Sequence, residues 1–263
     1  EADLAAAREQ MRLQQQLGGP TQRAVTAQEA CAIEPALAHH QAAFSGAIYT
    51  DSECVADCKK VCLALANRLI SRGVAFRFGY ECTAWVTSGR QISAARLDNR
   101  DEVVADAFVL CTGHQSPALA ASVGVHLPVY PLKGYSITVD TDGVGLAPRV
   151  SVTDAARKIV YARLGSRLRA AGMVELVGHD ERVEAHQIQI LQQATQALFP
   201  DCSRFNALGA WAGMRPATPT GLPLIGRLPK GPGNLYINAG QGALGFTLAF
   251  GSAMALANAI AIS

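Results

Sequence analysis

The sequence predicts a mixed α/β fold, and three observations carry that expectation. Ala107-Phe-Val-Leu-Cys111 is an unbroken apolar run ending in Thr112-Gly113, the pattern of a parallel-sheet strand buried on both faces. Residues 129–178 read as a second, strand-rich block interrupted by turn signals. Segments 2–17, 184–199 and 243–261 read as helices. No internal repeat, low-complexity linker or clean domain boundary shows, so two domains that exchange the chain several times are expected.

Taken in order, residues 2–17 form an amphipathic helix carrying Leu4, Met11 and Leu13, stopped by Gly18-Gly19-Pro20. Thr26 and Glu29 have capping-box spacing before a short helix with Ala30, Ile33 and Leu37, which Pro35 bends or ends. Ala47-Ile48-Tyr49 is a strand. Asp57 caps a helix over 58–72 with an apolar face of Val61, Cys62, Leu65 and Leu69, ended by Gly73. Strands follow at 74–78, 82–87 and 91–97, the last two around the turn Ser88-Gly89-Arg90, with a further arm through Val103-Val104. Past the second strand block, Pro200 stops the helix 184–199. Strands near 206–212, 222–226 and 234–238 precede the final helix. Residues 243–263 carry no charge and are long enough to span a bilayer, but their many Ala, Gly, Asn, Ser and Thr residues favour a helix buried in a globular fold.

Composition narrows the function classes. The chain has 263 residues, 49% hydrophobic and 17% charged, which describes a globular protein with a sizeable core. Lys+Arg 23 against Asp+Glu 21, without a basic block, argues against a nucleic-acid partner. Seven cysteines in a chain this large imply thiols in a reducing compartment rather than a disulfide framework. Cys54, Cys58 and Cys62 are spaced four apart, but no second Cys/His group has metal-site spacing, so core cysteines and no metal are expected. Glu1-Ala2-Asp3 opens a polar helix rather than a signal peptide, and the start in mid-helix reads as a fragment. Neither a Gly-x-Ser-x-Gly elbow nor a Gly-x-Gly-x-x-Gly fingerprint behind a strand is expected.

Three segments could carry chemistry. In Trp211-Ala-Gly213-Met-Arg215-Pro216, one arginine lies among apolar, Gly and Pro residues; it needs a carboxylate or phosphate for its fork, or else an internal ion pair. Asn238-Ala-Gly240-Gln241-Gly242-Ala243-Leu244-Gly245 lies between a strand and a helix. Its glycines admit a ligand to the backbone and the helix start favours negative charge, although tight packing alone would read the same way. Pro131-Leu-Lys133-Gly134-Tyr135 heads a strand with a cation, a permissive glycine and a phenol, or a β-bulge with a solvated lysine. His114 reads as a loop histidine.

Together and in this order, Val129–Ser136, Trp211–Gly226 and Asn238–Thr247 resemble the flavin-dependent D-amino-acid oxidase superfamily, the D-amino-acid dehydrogenase small subunit being the nearest type. Ala107–Gly113 resembles the family strand that ends in Thr-Gly beside the flavin, and Gly172-Met-Val-Glu175 its Gly-x-x-Glu in the substrate-domain sheet. Gln241 stands where dehydrogenase relatives tend to have His, and Thr220 where they tend to have Asp.

The resemblance implies a two-domain fold: an FAD-binding doubly wound sheet, incomplete here for want of its N-terminal βαβ unit, and a substrate domain with a mixed β-sheet. It places residues 1–45 and 129–212 in the substrate domain and 46–128 and 213–263 in the FAD domain. It implies an FAD-dependent oxidoreductase that oxidises a D-amino acid or related amine by hydride transfer to flavin N5. The imino acid is then hydrolysed to a keto acid and ammonia. Substrate binding would fall to Arg215, Tyr135 and Lys133, with the guanidinium of Arg215 pointing into a pocket between the domains. Cofactor binding would fall to Thr112, Gly113, Gly213, Gly240, Gln241, Gly242, Ala243, Leu244 and Gly245, with no side chain as catalytic base. Electrons would pass to a quinone or other acceptor, in the cytoplasm or peripherally at the inner membrane, and a partner chain could supply the missing segment. Within the family, a glycine or sarcosine oxidase, a hydroxyproline dehydrogenase or a cyanide-forming glycine dehydrogenase subunit stays open; outside it, a non-catalytic remnant or partner-binding domain does.

Overall fold

A computed structural model describes residues 2–228 and 230–261. Glu1, Pro229, Ile262 and Ser263, which belong to the expected 1–45 and 213–263 segments, lie outside the described residues. Helix α1 (Ala2–Gln16) stops ahead of Gly18, whose φ of 81° is open to glycine at little cost. Strand β1 (Gln22–Thr26), unforeseen from the sequence, pairs antiparallel with β2 (Gly46–Thr50) in register from Gln22↔Thr50 to Thr26↔Gly46. Thr26 then caps α2 (Ala27–Ile33): its hydroxyl accepts from Glu29 N at 3.2 Å, and the Glu29 carboxylate accepts the Thr26 N–H at 2.7 Å. Pro35 ends α2 by starting the 3-10 helix Pro35–Ala43 at its first turn.

Helix α3 (Cys58–Ile70) forms, but the expected apolar face is not buried: no residue of the helix is. Cys54, Cys58 and Cys62 are therefore exposed thiols, and Cys202 is the buried one among the seven free cysteines. The expected strand 74–78 is absent. It has no ladder partner among the described residues, and Val74, Phe76 and Phe78 are exposed, Phe76 and Phe78 stacking at 5.3 Å. Strands β3 (Cys82–Ser88) and β4 (Gln91–Leu97) turn through Gly89 at φ 60°, and β5 (Glu102–Val104) adds to β4. Strand β6 (Phe108–Leu110) is shorter than the apolar run and buried on one face rather than two, because Val109 is 39% exposed between buried Phe108 and Leu110. A 3-10 turn Gly113–Gln115 leads into α4 (Ser116–Ala121). Then come β7 (Tyr130–Asp140), β8 (Val152–Asp154), β9 (Ile159–Leu164), β10 (Arg167–Glu175) and α5 (Ala185–Leu198). Strand β11 (Trp211–Ala217) lies later than the expected 206–212; β12 (Leu224–Arg227), β13 (Leu235–Ala239), the 3-10 turn Gly242–Leu244 and α6 (Gly245–Ala261) complete the chain.

The chain divides into two compact units, one of Glu1–Asp57, Tyr135–Met173 and Arg182–Ala212, the other of Cys58–Gly134, Val174–Glu181 and Gly213–Ser263. The segment 174–181 leaves the run 135–212 for the second unit, an excursion that no local signal announces. Strand order β11-β7-β10-β9-β8 forms a five-stranded sheet.

In the first unit Tyr135, Ile137 and Val139 alternate along β7 into a core with Ile159, Tyr161, Leu168, Leu191 and Phe199. Burial pushes the Tyr161 phenol up to about 12 and the Cys202 thiol up to about 11, so both stay neutral across the physiological range. Glu34 is 1% exposed and accepts backbone N–H groups from Ala36 (3.0 Å), Arg149 (2.6 Å) and Val150 (2.9 Å). An unsatisfied buried donor costs about 1–3 kcal/mol. Glu34→Ala is therefore expected to lower the chemical-denaturation midpoint clearly more than Glu34→Gln, which keeps an acceptor; equal losses would show that the three bonds do not hold residues 149–150.

The second unit has its own core of Ile92, Phe108, Leu110, Leu119, Val125, Leu127, Val129, Leu235 and Ile237. Its sheets are β3-β4-β5 and β12-β13-β6, with β13 parallel to β6 and antiparallel to β12. Asn234 links the two, accepting from Ile92 N at 2.9 Å and donating to Ile92 O at 2.8 Å. Helix α6 packs on β12 and β13, yet among its described residues only Ser252 and Leu256 are buried, against the expectation of a buried helix. Phe246, Phe250 and Met254 are exposed. Apolar composition shows that a surface favours burial; it does not supply the element that covers it. By length and composition alone, Gly242–Ala261, at mean hydropathy 1.6, could cross a membrane.

Candidate functional site

Parallel pairing aligns the ends of two strands. Ile237 pairs with Leu110, so β6 and β13 finish at the same carboxyl edge, where Thr112-Gly113 and Gly240–Gly245 follow. Carboxyl ends of parallel strands are where open α/β sheets bind ligands. Gly240 adopts φ 88°, and a Cβ there would meet Thr218 Cγ2 at 2.7 Å, so both conformation and space demand glycine. Gly242 at φ 56° borders open space. No side chain caps the 3-10 turn at Gly242–Leu244, and the Gln241 side chain turns back to donate to Asn238 Oδ1. The start of α6 thus presents backbone donors and the positive end of a 17-residue helix.

This segment holds a signal that the sequence reading missed. Gly240-Gln241-Gly242-Ala243-Leu244-Gly245 has Gly-x-Gly-x-x-Gly spacing, behind β13 and opening α6. The expectation that no such spacing follows a strand is incorrect; the six residues, read together with the flanking strand, would have shown it.

On the neighbouring turn, Gly113 adopts φ 56°, and the Thr112 and Ser116 hydroxyls lie 3.2 Å apart. A Cβ on Gly113 would touch Pro216 Cγ at 3.9 Å, which places the Arg215-Pro216 step beside this turn. Arg215 and Gly213 lie in β11 and are half-buried. The Arg215 guanidinium rests against Gly134 of β7: a Cβ on Gly134 would lie 2.3 Å from its Cζ. His114 stands 4.0 Å from Glu181 and 5.4 Å, ring to ring, from His179.

Lys133 and Tyr135 are both fully buried. The Lys133 Nζ lies 4.0 Å from Glu175 Oε2 and 3.9 Å from Asp180 Oδ2, all within the second unit. This buried charge has two carboxylates to offset it, rather than the solvated setting of a bulge lysine. Tyr135 belongs to the core of the first unit. The second unit therefore brings together Thr112, Gly113, Gly213, Arg215 and Gly240–Gly245, with Lys133 in β7 next to Gly134. Among the described residues, no group of three or more His, Cys, Asp or Glu side chains has metal-holding geometry.

Glycine-lined turns at the carboxyl edge of a partly parallel sheet, with a helix starting behind them, are the arrangement with which open α/β folds hold nucleotide cofactors. The chain matches the DAO family, described as FAD dependent oxidoreductase, over residues 1–259, and it belongs to that family. It is 46% identical over 269 residues to "D-amino acid dehydrogenase 2" of Ralstonia nicotianae, covering 99% of this chain and 62% of that protein. It is 45% identical over 251 residues to "D-amino acid dehydrogenase 2" of Pseudomonas aeruginosa, covering 95% of this chain and 59% of that protein. The chain thus spans about three-fifths of the length of these relatives. Its fold is that of glycine oxidase from Geobacillus kaustophilus, with a TM-score of 0.88 at 24% identity, covering 100% of this chain and 69% of that one.

Proposed function

We propose that this chain serves an FAD-dependent oxidoreductase that oxidises D-amino acids. The observation that carries the reading is the 46% identity to a D-amino acid dehydrogenase across 99% of the chain, joined to a glycine-lined strand edge whose neighbouring turn touches the Arg215-Pro216 step. The family's cofactor fits the residues present. Gly240 and Gly242 leave the backbone bare, and the N-terminal end of α6 behind them suits the electron-rich edge of a flavin. Thr112 and Gly113 line the adjoining strand end. Bound FAD would supply the two-electron acceptor for the substrate Cα–H.

The chain's own residues hold and orient the substrate. Arg215 accepts the amino-acid carboxylate on its fork, and a bidentate pair fixes the direction of the Cα–H as well as the charge. Lys133, committed to Glu175 and Asp180, supports the strand beneath the fork rather than binding substrate itself, and Tyr135 supports the same strand from its core position. The oxidised imino acid reacts with water to give a keto acid and ammonia. A quinone is the proposed acceptor, reached by at most peripheral membrane contact.

The test is the visible spectrum of FAD-loaded protein mixed anaerobically with D-alanine, L-alanine, glycine and sarcosine. Bleaching of the flavin band by D-alanine and not L-alanine is expected. A colourless protein that takes up no FAD removes the reading, and bleaching by glycine or sarcosine alone moves it to another branch of the family.

A further inference from the structure

Gly134 is in the interior of β7, where glycine weakens a strand and often marks close approach of another group. Its backbone does not demand it, for Gly134 is not among the glycines at left-handed φ. What fills the space of its missing side chain is the mobile end of Arg215, which an added methyl would have to push aside. A Cβ on Gly134 would lie 2.3 Å from Cζ and Nη2 and 2.8 Å from Nη1, against a limit near 3.0 Å for real contacts. The conflict involves both terminal nitrogens, so it falls on the fork itself.

We infer that Gly134 is a positioning residue: its missing side chain is the seat in which the Arg215 guanidinium rests. The seat is rigid. Lys133, next in the strand, is fully buried between Glu175 and Asp180, and Pro216 restricts the backbone of Arg215 from the other side. A fork held flat against a fixed strand loses little side-chain freedom when a carboxylate docks. That the docking group is an amino-acid carboxylate rests on the proposed function; the seat itself does not.

The experiment uses Gly134→Ala, Arg215→Ala and the double variant of the FAD-loaded protein. Gly134→Ala is expected to lower Tm, and the double variant to recover at least about half of that loss, because a short residue 215 vacates the space. No recovery means that the added methyl strikes something else, and the seat is overturned. If Gly134→Ala alone does not fold, folding of the double variant is the same positive result, and failure of both to fold is the negative one. Steady-state turnover then separates the seat from the clamp. Gly134→Ala should raise KM for D-alanine at least tenfold with a smaller change in kcat. Recovery of Tm with KM unchanged in both single variants would keep the seat and remove the carboxylate clamp. A raised KM in Arg215→Ala without Tm coupling would keep the clamp and remove the seat.

Discussion

Arg215→Ala in the FAD-loaded protein is expected to weaken apparent affinity for D-alanine by about 10- to 150-fold, corresponding to roughly 1.5–3 kcal/mol for a lost charge-assisted hydrogen bond. Its guanidinium rests against Gly134, where a side chain would otherwise stand. Arg215→Lys keeps the charge but not the planar fork, so an intermediate loss is expected. An amine without a carboxylate should be oxidised as before, because it has nothing to place on the fork. Dye-coupled turnover across a range of D-alanine concentrations measures all three. Unchanged affinity in Arg215→Ala would remove the clamp.

The second large effect concerns the charge buried in β7. Glu175→Gln/Asp180→Asn removes the two carboxylates that lie within 4.0 Å of the Nζ of Lys133, a residue 0% exposed. Breaking a buried pair by removing one side costs about 3–5 kcal/mol, because the remaining charge stays in a poor solvent. Adding Lys133→Met should recover much of the stability, since an apolar side chain of similar length needs no counter-ion. Urea denaturation of the parent, the double variant and the triple variant reads each step. A double variant as stable as the parent would show that the carboxylates do not hold the lysine.

The helices α1, α2, α5 and α6, the hairpin β3–β4 and the strand block after residue 129 were legible in the sequence, because each rests on signals within a few residues. The Thr26–Glu29 capping box is the plainest case, since both its bonds close within one turn. The family was legible too, because Val129–Ser136, Trp211–Gly226 and Asn238–Thr247 each combine unusual residues in a fixed order. Tertiary structure decided what depends on distant partners. Strand β1 exists because β2 pairs with it, and 74–78 is not a strand because no described residue does. Apolarity in α3 and α6 was read as burial, but a hydrophobic face is only a demand for cover, and few described residues meet it. Lys133 shows the same division. The sequence places a cation before Gly134; only the folded chain carries Glu175 and Asp180, more than forty positions away, to within 4.0 Å of it.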